Sequence, residues 1–249
     1  MTSTQKNMQS LLEWSVKAQT EGASFDELKS DLNNDLAQSL MGIDPGTMLQ
    51  ERLEILKQYS NYDCEAISLL LTDIGDIITK IDYANDLFVL GGFDLLVQIL
   101  SKPAQYVECG SSIFSLLHEC LTGNFELVQK SHAVLSQIKY TEWIGINDKT
   151  DIGVNRVVSD MLIGSAFSDN DELKIAMATL YAPLLHKFLD KSDKVVKKAL
   201  KILIALTAID FTSIHHIIFT DSIVEYVRDH KTRLEALRID VTPIITIAQ

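Results

Sequence analysis

Residues 74–100 read IGDIITKIDYANDLFVLGGFDLLVQIL. An apolar pattern at helical spacing runs into Asp82-Tyr83-Ala84-Asn85-Asp86, a short apolar segment ends at Gly91-Gly92, and a second apolar pattern continues to Leu100. The stretch predicts a long helix over Cys64 to Ile81, a short one over Ala84 to Leu90 and a third over Phe93 to Leu100. Glycine tolerates the left-handed conformation that ends a helix, so Gly91-Gly92 reads as the stop. That reading is preferred to a phosphate loop, because the pair follows a helix and not a strand.

Upstream, Thr47 to Tyr59 carries Met48, Leu49, Leu53, Ile55 and Leu56 in a helical pattern, with Thr47 as its expected cap. Gly42 to Gly46 (GIDPG) is a turn, and the domain boundary is placed there: residues 1–46 as a mobile N-terminal segment, residues 47–249 as a helical domain. Within the first segment Met8 to Ala18 predicts a short amphipathic helix with Leu11, Leu12 and Trp14, and Phe25 to Leu40 a weaker one. Downstream the long–short–apolar cycle recurs as Tyr106 to Leu121, Phe125 to Gln129 and His132 to Ile138. It recurs again as Val154 to Phe167, Glu172 to Ala178 and Leu180 to Leu189, and then as Lys194 to Ile209, Ser213 to Phe219 and Ile223 to Val227. Tyr140 to Lys149 reads as a loop, and Thr232 to Ile247 as a last capping helix.

The third-helix cores align on Leu95, Val134, Leu184 and Ile223, at separations of 39, 50 and 39 residues. Armadillo and HEAT units recur at roughly 40–47 residues, and the long middle interval fits the Trp143 loop as an insertion. One unit cannot cover its own apolar face, so the units must stack. The expected fold is all-α: an armadillo-like right-handed α-solenoid of about four three-helix repeats with helical N- and C-terminal caps, binding partners on a concave face lined by the third helices. An irregular all-α bundle is the competing architecture.

Composition narrows the chemistry. The chain has 249 residues, 47% apolar, with only 11 Gly and 4 Pro and a formal charge of -12. Few breakers favour long helices, and the acidity argues against a broad nucleic-acid surface. Cys64, Cys109 and Cys120 form no CxxC pair and read as free thiols in a reducing compartment. No secretory leader and no membrane span are expected, since no apolar run approaches the roughly 18 residues a span needs. A cytoplasmic monomer follows, with the nucleus also open.

No metal or cofactor is expected. His118 and Cys120 diverge on a helix, as do His215 and His216, and zinc needs about four converging ligands. No phosphate-loop or nucleophile-elbow motif is present, so an enzyme is not expected. One charge feature stands out. Lys194, Lys197, Lys198 and Lys201 lie at i, i+3, i+4 and i+7, opposite Val196, Ala199, Leu200 and Leu203. In an acidic chain such a stripe suits an acidic partner, and its plainer reading is a solvated face. Asp82 and Asn85 around Ala84 read as helix caps or as a place of close partner approach.

The run DIGDIITKIDYANDLFVLGGFDLLVQIL resembles the first armadillo repeat of the nucleotide exchange factors of the 70-kDa heat-shock chaperones, the Fes, Sil and heat-shock-protein-binding-protein group. Leu11-Leu12-Glu13-Trp14-Ser15-Val16 is similar to the start of the cytosolic members, and Asp44 to Glu51 to the segment that opens their folded part. The resemblance implies a cochaperone that binds the chaperone's nucleotide-binding domain, opens it, and releases ADP and then client. It implies partner contacts at Ala84 with Asp82 and Asn85, and at Lys198, where the family has an Arg, within the Lys194–Lys201 stripe. It also implies a client-imitating segment carrying Leu11, Leu12 and Trp14, although a docking helix remains open there. The alternative is an armadillo adaptor that binds a peptide or protein without exchange activity.

Overall fold

A computed structural model describes residues 44–79, 81–207 and 214–247. The chain divides into two compact units, Met1–Glu51 and Arg52–Gln249. The expected helices over Met8 to Ala18 and Phe25 to Leu40 lie outside the described residues. Among those described, every regular element is helical. No single helix there is long and apolar enough to cross a membrane.

Helix α1 (Pro45–Leu56) spans the division between the units. It starts at Pro45, whose fixed φ suits a first helical position. Its cap is Asp44, which accepts the Thr47 N–H at 3.2 Å, so Thr47 is the capped residue and not the cap. Asp63 caps α2 (Cys64–Ile77) by accepting from the Ala66 N–H at 2.8 Å. α2 stops before the expected Ile81, where the β-branched run Ile77-Ile78-Thr79 is a poor helix former. Helix α3 (Ile81–Val89) therefore already contains Asp82 to Asn85. Gly91 is left-handed at φ 79°, and the chain turns by 69° between Asp82–Val89 and Gly92–Leu100, the second being α4. Gly91 thus does what the sequence asks of it.

After α5 (Pro103–Tyr106) come α6 (Gly110–Leu121) and α7 (Phe125–Leu135). α7 is one helix where two were expected. Its start is fixed by Asn124, which accepts the Leu127 N–H at 3.2 Å. A short α8 (Tyr140–Trp143) leads into α9 (Asp148–Ala166) and α10 (Asp171–Leu189). α10 runs unbroken through Pro183, joining two expected helices, because apolar burial at Leu173, Met177, Tyr181, Leu184 and Phe188 continues along one face. α11 (Asp193–Thr207) follows. The expected last helix is instead α14 (Lys231–Ala236) and α15 (Thr242–Ile247), after α12 (His215–Ile218) and α13 (Asp221–Asp229). The break falls at Arg238, whose φ is 59°.

The long helices pack in chain order within the second unit: α2 on α6, α6 on α9 and α9 on α11, while α4 packs on α7. Helix α9 is the core element. Val154, Val157, Met161 and Leu162 are fully buried, each contributing about 1.5–3 kcal/mol. Its Gly153 and Gly164 let the backbone close on Phe114 and Val128, since a Cβ at either would stand 2.8 Å from those side chains. Polar links between these layers recur at a narrow range of sequence separation. Lys102–Tyr59, Ser112–Ser68, His118–Asp160, Asn124–Asn85 and Trp143–Leu100 are 43, 44, 42, 39 and 43 residues apart. Ser192–Asp148, Tyr226–Leu189 and Arg233–Asp193 are 44, 37 and 40 apart. These separations are consistent with stacked helical units of about 40 residues, although Tyr181–Asn155 and Tyr140–Met161 are 26 and 21 apart.

The Trp143 segment corrects the expected insertion. Trp143 is fully buried, and its Nε1–H donates to the Leu100 carbonyl at 2.9 Å. The indole lies over Gly110 and meets Phe114 edge-on at 5.6 Å. It is a core wedge between α4, α6 and α9, not a loop. The cysteines are free, with Cys109 and Cys120 buried and Cys64 partly so. Burial, with Cys64 adding to it, pushes the Cys109 thiol up to about 12, which leaves little reactive thiolate.

Candidate functional site

The long helices α2, α6, α9 and α11 together line an open groove of about 840 Å³. These are the helices read as first in each unit, so the groove is lined by them and not by the third helices. Their outward faces alternate with buried stripes: on α11, Val195, Val196, Ala199, Leu200 and Leu203 face inward, which leaves lysines on the open side.

Lys194 and Lys198 line the groove, one turn apart and exposed. The other two members of the stripe, Lys197 and Lys201, are half-buried and exposed respectively and are not among the lining residues. The opposing helix α9 contributes Lys149 and Arg156, two turns apart. Asp76 of α2 and Glu119 of α6 line the other end, and Ser111, Ser112 and Ser115 line α6 between. A smaller recess continues from Thr79 and Glu119 to His118 and Thr122.

His118 Nδ1 bonds the Asp160 carboxylate at 2.5 Å, tying α6 to α9 beside the groove. Burial raises the Asp160 carboxyl above its ordinary range, opposed by His118 and by Arg156 one turn away. Helix α9 begins at Asn147, which accepts the Thr150 N–H at 2.9 Å. The buried Asp151 accepts from the Gly145 N–H at 2.7 Å, pinning the segment that leads into α9. No group of His, Cys, Asp or Glu among the described residues is arranged to hold a metal ion.

The other expected contacts are placed differently. Ala84 is 3% exposed, so its methyl packs inward and does not present a surface. An Ala84→Arg change would force a guanidinium into that core and destabilise the fold, and so cannot serve as a clean probe of an interface. Asn85 is half-buried and accepts from Asn124 Nδ2 at 3.2 Å, a link between successive layers. Asp82 is exposed in the first turn of α3, where a carboxylate suits the helix dipole. None of the three lines the groove. Leu11, Leu12 and Trp14 lie outside the described residues.

Lys149, Arg156, Asp76 and Glu119 were missed from sequence. For the first two a usable signal exists. Asn147-Asp148 is a helix-start signature, and a helix begun there puts Lys149 and Arg156 on one face.

Residues 8–87 match the family model described as nucleotide exchange factor Fes1. Neither the curated proteins nor the solved structures contain a match to the chain. The matched span holds Leu11 to Val16, Asp44 to Glu51 and Asp82 to Asn85, and ends within α3. Over residues 8–87 the chain is thus similar to the family of the nucleotide exchange factor Fes1.

Proposed function

We propose that the chain is a nucleotide exchange factor for a 70-kDa heat-shock chaperone, acting as a monomer in the cytoplasm. The observation that carries the reading is the match of residues 8–87 to an exchange-factor family. The groove supports it: a long open surface on stacked helices, with Lys194 and Lys198 of the stripe at one end. We take the stack to be an armadillo-like right-handed solenoid of about four repeats.

The mechanism needs no catalytic residue. The groove holds one part of the chaperone's nucleotide-binding domain and favours its open form, so ADP leaves. Only differential affinity for the two forms shifts such an equilibrium. Moving it from 1:99 to 99:1 takes about 10⁴-fold preference for the open form. By reciprocity, nucleotide weakens the exchange factor by the factor that the exchange factor weakens nucleotide. ATP rebinding then separates the pair, and the chaperone releases its client to fold. The N-terminal segment with Leu11, Leu12 and Trp14 assists that release by imitating the client.

Stopped-flow release of labelled ADP from a 70-kDa chaperone's nucleotide-binding domain tests the reading. Wild-type chain should accelerate release in a concentration-dependent way, and an unchanged rate at saturating chain would refute it.

A further inference from the structure

The charges of the groove are sorted by helix. Lys149 and Arg156 stand on α9 and Lys194 and Lys198 on α11, which packs against it. Asp76 stands on α2 and Glu119 on α6, which packs against α2. Glu119 reaches towards α2, its carboxylate oxygen 3.4 Å from where a Cβ on Gly75 would sit, so the two acids share one end. None of these six side chains makes an ion pair with another described residue. The carboxylate nearest Arg156 along α9, Asp160, is taken by His118. Apart from the attraction between Arg156 and Asp160, the four cations at one end and the two anions at the other repel within their set. An occupant of opposite polarity relieves both repulsions at once.

We propose that the groove reads the direction of its partner. A protein segment seats carboxylates against Lys149, Arg156, Lys194 and Lys198, and a cation against Asp76 and Glu119, so only one orientation is accepted. Arg156 is the specificity-determining member of the basic end, because its planar fork can take a carboxylate in two parallel bonds where Lys198 offers a point charge. A small polyanion would gain from the basic end alone and would be repelled by the acidic one. A bipolar protein surface therefore fits this groove better than a free phosphate. The identity of that protein as the chaperone's nucleotide-binding domain rests on the exchange-factor reading.

The test measures binding of the full chain to labelled nucleotide-binding domain, with ADP release followed in parallel, for wild type, Arg156→Glu and Glu119→Lys. Both substitutions should weaken binding by about tenfold or more, and raising salt should weaken the wild-type complex. The sign at Glu119 is decisive. If Arg156→Glu weakens and Glu119→Lys tightens binding, the groove only attracts negative charge and the directional proposal is overturned. Unchanged binding for both variants also overturns it. A wild-type chain that neither binds nor speeds ADP release removes the exchange-factor reading itself, and that outcome is visible before any variant is made. Thermal melts check folding, and Glu119→Gln should weaken binding in the same direction by a smaller factor if the lysine variant does not fold.

Discussion

Trp143 and Gly110 should be strongly coupled. The indole is fully buried, donates to the Leu100 carbonyl at 2.9 Å, and covers Gly110 so closely that a Cβ there would lie 2.1 Å from Cζ3. Trp143→Ala removes the ring's burial, worth about 3–5 kcal/mol, and strands a carbonyl acceptor at about 1–3 kcal/mol more. With partial relaxation the net loss should be about 4–6 kcal/mol, a large share of a total near about 5–15 kcal/mol. Gly110→Ala in wild type must push the ring aside and should cost about 1–3 kcal/mol. In the Trp143→Ala background the obstacle is gone. The same change should then be neutral or gain up to about 1 kcal/mol, since alanine is the better helix residue. The coupling energy is therefore about 1–4 kcal/mol, above the error of a double-mutant cycle. Urea unfolding of the four proteins gives it directly from midpoints at constant m. An equal cost for Gly110→Ala in both backgrounds would show that the ring does not sit over that glycine, and the wedge role of Trp143 would fall.

Lys198→Glu should slow chaperone ADP release several-fold with an unchanged melting temperature, because the side chain is exposed in the groove; stopped-flow kinetics and a thermal melt check it. Removing residues 1–40 should leave accelerated ADP release intact while slowing release of a fluorescent client peptide, and loss of exchange would contradict the division of roles. Gly91→Ala should cost about 1–2 kcal/mol through its left-handed backbone alone, since no atom lies within 4 Å of the added Cβ, whereas Gly92→Ala meets Leu87 Cδ1 at 2.4 Å and should cost more; urea midpoints rank them. Burial raises the Asp151 carboxyl, against the Gly145 N–H that favours its charge. The stability tied to its protonated form is present below the ordinary carboxylate pKa of about 3.9 and is lost as pH rises through the raised folded value. Asp151→Asn, which can still accept from Gly145, should therefore melt above wild type at about pH 7 and level with it at about pH 3; calorimetry at the two pH values decides.

The helices that carry regular apolar stripes were legible: α2, α6, α9 and α11 all stand near their expected places. What local pattern could not show was how far each helix continues. The pattern suggested a stop at Thr179, but burial of Met177, Ala178 and Tyr181 on either side of it carries α10 through. Trp143 looked like a loop residue because four helical residues carry no periodicity, and its anchor, Leu100, lies 43 positions away. The site divides in the same way. Lys194 and Lys198 announce themselves by spacing on one helix. Their α9 counterparts do so only once the helix is started at Asp148, and Asp76 and Glu119 join them only through packing. Ala84 was singled out as a small residue at a helix junction, and its burial under α3 comes only from packing.

Two of the bonds between layers end on main-chain oxygens: Trp143 on Leu100 and Tyr226 on Leu189. A carbonyl makes no demand on the side chain attached to it. The earlier layer can exchange its residue at such a point without losing the joint, provided the backbone stays where it is. The later layer alone must keep a donor of the right reach. The chain is thus free to drift in spelling from one layer to the next while its joints hold, much as courses of masonry stay bonded when the stone changes.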